Sequence, residues 1–443
     1  LIGILHTSIK NSFTDDIAVA DTHAMLANEI RWKWRFLIIA AAVITFLPSV
    51  NNGFMQDDFI LLNRIEILKT NPYNLIEVAP ELFRVTSYIV LAVLKALFTY
   101  DYRAYYVVNI LLHAINSVLL AEIANEVFHN DRVAIVTGVL FAVFQAPQEA
   151  VMWIGAMNEM LLGLFVILTV LFWLRGRYLQ AILSYTLALW SKESALVVLL
   201  IVPLIELYRG RRGFWRQYLW LLLPTAAFTV AFLLTFSKNF MVNNEIHAFR
   251  WHAVITLARS LNRLLWPWAY LLIVLVRVTK LGWPLSRSML VTAALLIVAV
   301  LPYIFVTYTY LIPSRQTYMA SAILVTALSA AVLQLSSRRL QTAVLASFIA
   351  FNVVYVWTRK DSQMRRRAAP TTALIEELKT RSPGPVRIIG FEYPASEMAK
   401  GAAVTIPGWH WEDVELIPPG DRCANCVILE WDRDTLRYIR RDN

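Results

Sequence analysis

The chain has 443 residues, of which 58% are apolar and 16% charged, against about 45 to 50% and about 25% in ordinary soluble domains. That balance excludes a soluble globular protein, and two cysteines cannot build a disulfide framework. The formal charge of +10 falls on the membrane part, because residues 361–443 are near neutral; basic cytoplasmic loops facing anionic lipid explain such an excess, and no nucleic-acid partner is implied.

Residues 1–33 are polar and lack the short apolar core and cleavage site of a secretory signal. They read as a cytoplasmic segment before an uncleaved first anchor at 34–50, which follows Arg31, Lys33 and Arg35. Further apolar stretches run over 103–127, 133–147, 159–174, 178–190, 194–208, 214–236, 254–278, 288–306, 316–335 and 340–357. A spanning helix needs roughly 20 apolar residues, and the stretches together predict about eleven crossings in an all-α polytopic domain over 34–360. The stretch 85–98 is placed along the outer interface, within a first outer loop of 51–102. Counting it as a crossing would put Arg175, Arg177 and Arg209 to Arg212 outside, against the positive-inside rule. The pair 178–190 and 194–208 is short, and a helical hairpin satisfies the basic loops on either side of it.

Parity places the tail outside the cytoplasm. Arg359, Lys360, Arg365, Arg366 and Arg367 then follow the last crossing on the outer face, which the positive-inside rule disfavours; a twelfth or a missing crossing would move the tail to the other side. Residues 361–443 alternate a helix-like run at 373–378, strand-like runs at 386–391 and 427–431, and a Pro-Gly-rich stretch around Pro407. A small, soluble α/β domain fits that pattern. No repeat of 20–50 residues is present, which excludes a solenoid.

With this topology polar groups gather on the outer side. Asp57 and Asp58 are adjacent carboxylates just beyond the first crossing, where they repel one another and one holds its proton more tightly. An acidic first helical turn is the bland alternative, since an apolar periodic run follows them. At the same level lie Glu81 and Arg84; Asn109 and His113; Gln145, Gln148, Glu149, Trp153, Asn158 and Glu159; Ser191, Lys192 and Glu193; His247, Arg250 and His252; and Tyr310, Ser314, Arg315 and Gln316. Singly, each has a structural explanation: His113 can bond a neighbouring helix and Lys192 can pair with Glu193. Together, acids and cations at one membrane surface suit a reaction that needs a base and a stabiliser for an anionic leaving group.

At these residues the chain resembles the type C glycosyltransferases (GT-C), and within them the protein O-mannosyltransferases and the transmembrane and TPR repeat-containing mannosyltransferases. The matching pieces are Asp57-Asp58, Asn109-Ile110-Leu111-Leu112-His113, Ala146-Pro147-Gln148-Glu149-Ala150-Val151-Met152-Trp153-Ile154, Leu189-Trp190-Ser191-Lys192-Glu193 and Tyr310-Leu311-Ile312-Pro313-Ser314. They cover about residues 35–330 in order. The chain departs from its relatives at Gln145 and Gln148, where His is common, and at Val85, where Pro follows the arginine. The resemblance implies inverting transfer of mannose or a similar hexose from a polyprenyl-phosphate carrier to a hydroxyl of a protein or glycan acceptor, on the non-cytoplasmic side; the compact size and the lack of appended repeats point to the periplasmic face of a bacterial inner membrane. In it, Asp57 is the general base and Asp58 its partner. The leaving phosphate falls to Arg315, Lys192 or Arg84. Asn109, His113, Gln148, Glu149, Trp153, Glu159, Glu193 and Tyr310 line the pocket. A divalent cation held by the acids is possible in such enzymes but not favoured here, and no cofactor is expected.

Cys423-Ala424-Asn425-Cys426 precedes a strand-like run instead of opening a helix, so it is not a thioredoxin-type motif; a local disulfide or two thiols are its readings. The rival functions are a transporter or lipid flippase and a non-catalytic membrane scaffold. Gly is only 14 of 443 residues and the charges lie near one face, away from the midplane site of many transporters.

Overall fold

The computed structural model describes residues 32–71, 84–238, 243–248, 250–278, 287–421, 423 and 425–441. The helices in chain order are α1 (Trp32–Asn51), α2 (Asp57–Thr70), α3 (Val85–Phe98), α4 (Tyr102–Phe128), α5 (Asp131–Val143), α6 (Gln148–Met152), α7 (Met157–Leu174), α8 (Tyr178–Leu189), α9 (Val198–Arg209) and α10 (Trp215–Thr235). They continue as α11 (His252–Leu265), α12 (Trp268–Val278), α13 (Arg287–Val300), α14 (Tyr318–Val332), α15 (Arg338–Lys379) and α16 (Ser396–Ala403). The strands are β1 (Val386–Ile389), β2 (Val414–Leu416), β3 (Val427–Asp432) and β4 (Arg437–Arg441).

Helix ends fall where local chemistry puts them. The Asp101 carboxylate accepts from the Arg103 amide at 3.2 Å to start α4. The helix stops at His129, whose φ of 50° is left-handed, and Asn130 caps α5 by accepting from the amides of Arg132 and Val133.

Among the described residues five helices are long and apolar enough to cross a membrane: α1, α4, the segment Ile154–Leu174 that contains α7, α10 and α15. The remaining apolar helices are shorter, Val85–Phe98 with its 14 residues among them, so a count of eleven crossings is not established. One predicted crossing, 254–278, is instead two helices. Pro267 lacks an amide proton, Trp266 before it is extended at ψ 136°, and α11 therefore ends before α12 begins.

The predicted hairpin at 178–208 is present as α8 and α9. From Glu159 in its first turn α7 runs to Arg175, α8 returns to Trp190, and Lys192 then meets Glu159 again as an ion pair. At the opposite end of the bundle, Arg175 pairs with Glu122 at 3.0 Å and Glu126 at 2.7 Å, and Arg35 pairs with Glu122 at 2.5 Å. The basic ends of α7 and α9 thus lie away from the loop that carries Asp57.

The last crossing does not stop at the membrane edge. Helix α15 is continuous for 42 residues, with a π-helical turn at Val356–Lys360, and carries the chain straight into the tail. There β1 lies between β2 and β3 in parallel register, and β4 pairs with β3 antiparallel. The tail is therefore α/β as predicted, with α16 and β2 as elements its Pro-Gly-rich stretch had concealed. One buried apolar cluster continues from Phe46 and Trp173 in the bundle to Leu374 and Leu429 in the tail.

Helix α16 rests on α2. A Cβ on Gly401 would lie 2.7 Å from the Cβ of Phe59, closer than carbon atoms approach. Gly401→Ala is therefore expected to destabilise the protein by about 1 to 3 kcal/mol, read as a lower thermal midpoint with faster proteolysis of the tail. An unchanged midpoint would show that the tail does not bear on α2.

Candidate functional site

The site is built where four segments meet: the turn into α2, the α6 segment, the turn before α14, and the middle of α15. Gln56 adopts a left-handed φ of 49°, which turns the chain so that Asp57 and Asp58 open α2. Both carboxylates then sit in a first turn whose amide protons favour negative charge. The bland reading, an acidic first turn, holds for both residues, and the two differ in burial. Asp58 is fully buried; its oxygens accept from the Gly155 amide at 2.6 Å and the Met55 amide at 2.8 Å. Burial pushes its pKa up to about 8, against the pull of those two amides. Asp57, beside it, is exposed.

Trp153 follows α6 in an extended conformation. Asn109, buried in α4, donates to the carbonyls of Val151 at 3.2 Å and Trp153 at 3.3 Å and so fixes this segment. Gly155 follows because a side chain there would crowd Asp58: its Cβ would lie 3.0 Å from the Asp58 carboxylate and 3.1 Å from the Trp153 indole nitrogen.

Two guanidiniums converge on the Trp153 ring, Arg315 at 4.8 Å and Arg367 at 5.1 Å from its centroid. Both pair with Glu149, Arg367 at 2.7 Å and Arg315 at 3.5 Å. Burial alone would raise the Glu149 carboxyl, but Arg367 and Arg315 outweigh it and hold the group below its ordinary value. Arg367 also donates to the Gln56 side chain at 2.8 Å, so the cluster is coupled to the turn that bears Asp57. Arg315 is set by its own loop: the Ile312 amide donates to Ser260, Arg263 donates to the Ile312 carbonyl, and a 3-10 turn at Ser314–Thr317 follows. Gln148 is buried and, with its amide turned to suit its neighbours, accepts from Lys360 at 3.3 Å and contacts the Ser314 hydroxyl at 3.1 Å.

The other predicted site residues separate from this cluster. Lys192 and Glu159 form a buried ion pair, with side-chain exposures of 6% and 2%. Tyr303 closes it, its hydroxyl donating to Glu159 at 3.1 Å and lying 2.8 Å from the Ser194 hydroxyl, which can donate to it, and its ring 4.7 Å from the Lys192 ammonium. This network is charge-balanced. Arg84 precedes α3, which is tied to the Lys192 loop by the Thr86 and Ser191 hydroxyls at 2.7 Å. Glu193 is half-buried beside Lys192. His113 is buried and spends both ring nitrogens inside the bundle, on the Tyr318 hydroxyl at 2.9 Å and the Ala142 carbonyl at 3.3 Å. Tyr310 is 53% exposed, its ring 5.9 Å from Arg259. Glu81 lies outside the described residues. Cys423 and Cys426 are disulfide-bonded, and no metal-binding group of three or more His, Cys, Asp or Glu occurs among the described residues.

Sequence reasoning overlooked Arg367, Gln56 and Tyr303. Arg367 did leave a signal, the basic run after the last crossing that contradicted the positive-inside rule. Its bonds to Glu149 and Gln56 put the start of the tail on the same side as the first loop, and at least this member of the run is there to pair with an acid.

No protein-family profile and no curated protein matches this chain. Among solved structures it is similar to ArnT from Cupriavidus metallidurans bound to undecaprenyl phosphate, with a TM-score of 0.60 at 13% identity, covering 88% of this chain and 86% of that one. The apo state of the same protein gives a TM-score of 0.57 at 14% identity over the same shares. The likeness shows that the chain shares the fold of ArnT, and with five apolar helices of membrane-crossing length among the described residues the chain is an integral membrane protein. The mannosyltransferase subgroup is not supported by this likeness.

The buried carboxyl of Asp58 gives a pH signature. Its native pKa lies above the unfolded value, so between roughly pH 4 and 8 the native state binds a proton that the unfolded chain releases, and stability falls as pH rises through that window. Asp58→Asn is expected to flatten this part of the thermal-midpoint profile. It should also cost about 1 to 3 kcal/mol, because an amide must turn its donor toward one of two backbone amides. A profile identical to that of the unsubstituted protein would place the titration elsewhere.

Proposed function

We propose that this chain is a membrane glycosyltransferase that takes its sugar, mannose or a similar hexose, from a polyprenyl-phosphate carrier and transfers it with inversion to an acceptor hydroxyl. The observation that carries the reading is the arrangement over Trp153: two guanidiniums share one carboxylate, so the cluster keeps a surplus positive charge. Each arginine side chain is 23% exposed. The buried Lys192–Glu159 pair on the same side is balanced; Glu206 at the other end also holds two arginines, so it is the surplus together with the Trp153 face and the neighbouring Asp57 that supports the reading. The surplus suits a phosphate whose negative charge grows as the sugar leaves. The undecaprenyl phosphate bound by the structurally similar ArnT supports a lipid-linked donor.

The roles follow from exposure and charge. Asp57, exposed beside the cluster, takes the proton from the acceptor hydroxyl as its oxygen attacks the anomeric carbon. The glycosidic electron pair leaves with the phosphate, which Arg315 and Arg367 stabilise. Asp58 is committed to two backbone amides and holds the turn in place. Lys192, predicted to hold the phosphate, is already neutralised by Glu159 and serves the scaffold of that wall, and Arg84 is assigned no direct contact. Trp153 offers the sugar or the first isoprene an apolar face. Glu149 and Glu159 are saturated by cations, and with Asp58 buried the reaction needs no resident metal. The active face is the periplasmic side of a bacterial inner membrane.

Purified protein given a panel of labelled polyprenyl-phosphate sugars should release polyprenyl phosphate from one of them. Asp57→Asn is expected to lower that rate by about 10² to 10⁴. Folded protein that turns over no donor would remove the basis of the proposal. For the leaving group, Arg367→Ala and Arg315→Ala should each lower turnover by about 10² to 10³. A rate unaffected by both would assign the phosphate to other cations.

A further inference from the structure

The loop that follows β1 reaches from the tail to the turn that carries Asp57. Strand β1 ends at Ile389, and Gly390, at a left-handed φ of 71°, bends the chain out of the sheet. Phe391, Glu392 and Tyr393 come next, with the rings of Phe391 and Tyr393 edge to face at 5.8 Å. The half-buried Tyr393 donates its hydroxyl proton to the Arg367 carbonyl, and the Gln56 side chain lies against the same hydroxyl. One phenol therefore touches both residues of the Arg367–Gln56 hydrogen bond.

The turn is also held from two sides. From the bundle, Tyr106 donates to the Gly53 carbonyl at 2.8 Å. From α15, Thr371 donates to the Phe54 carbonyl at 3.1 Å, and a Cβ on Gly53 would lie 3.0 Å from the Thr372 hydroxyl oxygen. This stretch of α15 is short of one backbone bond, because Pro370 has no amide proton. Two tail tyrosines brace it: Tyr393 on the Arg367 carbonyl, and Tyr438 of β4 on the Pro370 carbonyl at 3.0 Å. Tyr393 differs from Tyr438 in its contact with Gln56. A misplacement of about 1 Å between reacting groups can cost about 10² in rate. A hydroxyl that fixes Gln56 and Arg367 relative to each other thus acts on the rate without touching a substrate.

We infer that Tyr393 is a positioning residue of this site: through Gln56 and Arg367 it fixes the turn that presents Asp57 relative to the cations over Trp153, so that the tail completes the site. The inference rests on the transferase reading above and adds to it a residue from the tail.

Tyr393→Phe keeps the ring and removes the hydroxyl. Tyr438→Phe makes the same change against the same stretch of α15 and is the control. With the panel of labelled polyprenyl-phosphate sugars and the full chain, Tyr393→Phe should lower kcat for release of polyprenyl phosphate by about tenfold or more and change the donor KM by less than about threefold. Tyr438→Phe should stay within about twofold of the unsubstituted rate. In a Gln56→Ala background Tyr393→Phe should cost less than about threefold further, because its effect passes through Gln56. Hydrogen–deuterium exchange supplies a reading independent of activity: the amides of residues 53–59 should exchange at least about fivefold faster in Tyr393→Phe than in Tyr438→Phe. Equal kcat in the two variants, an undiminished loss in the Gln56→Ala background, or equal exchange over 53–59 would overturn the assignment. If the unsubstituted protein releases polyprenyl phosphate from no donor, the transferase reading fails, and the exchange rates alone decide whether Tyr393 holds the turn.

Discussion

The carboxylate of Glu149 is the constraint on which the outer face depends. It draws together Arg315 and Arg367, which lie far from it along the chain, and Arg367 extends the same bond system to Gln56. An unpaired charge at this depth would be costly, and removing one partner of such a set leaves the others uncompensated. Glu149 therefore fixes three things at once: the loop before α14, the position of α15 over the bundle, and the turn that presents Asp57. The Trp153 ring completes the arrangement, with its centroid 4.8 Å from Arg315 and 5.1 Å from Arg367.

Two polar networks face the same side, and charge balance separates their purposes. Glu159, Lys192, Tyr303 and Ser194 form a closed set with no charge left over, as expected of groups that hold α7, the hairpin tip and α13 together. The Glu149 set carries one cation too many and stays partly open. Ionisable groups near a membrane are retained either as paired networks or as sites; the Lys192 set fits the first, and under the proposed function the Glu149 set is the second. Asp57 and Asp58 divide in the same way, one inside on backbone amides and one outside.

Much of the architecture was legible because apolar runs of helical length leave little alternative in lipid. Each predicted crossing corresponds to helix, and the tail is α/β. The exceptions have local causes. Pro267 divides 254–278, and Arg259, Asn262 and Arg263 before it already make the first half amphipathic. The charged run from Arg359 to Arg367 hid the continuity of α15, because a hydropathy window ends where a solvated helix can continue. In the site, Asp57, Glu149, Trp153 and Arg315 were visible as residue types in an ordered set of short motifs. Arg367 was not, because its meaning lies in a contact made across the bundle. Those short motifs led to an expected fold, which the structural likeness to ArnT supports, but did not fix a subgroup.

The most direct test is a cryo-EM structure of the full chain with polyprenyl phosphate. The account predicts phosphate density bridging Arg315 and Arg367, with oxygen–nitrogen distances of about 3 Å and the lipid's first isoprenes against Trp153. Phosphate bound elsewhere, with both guanidiniums still closed on Glu149, would contradict it.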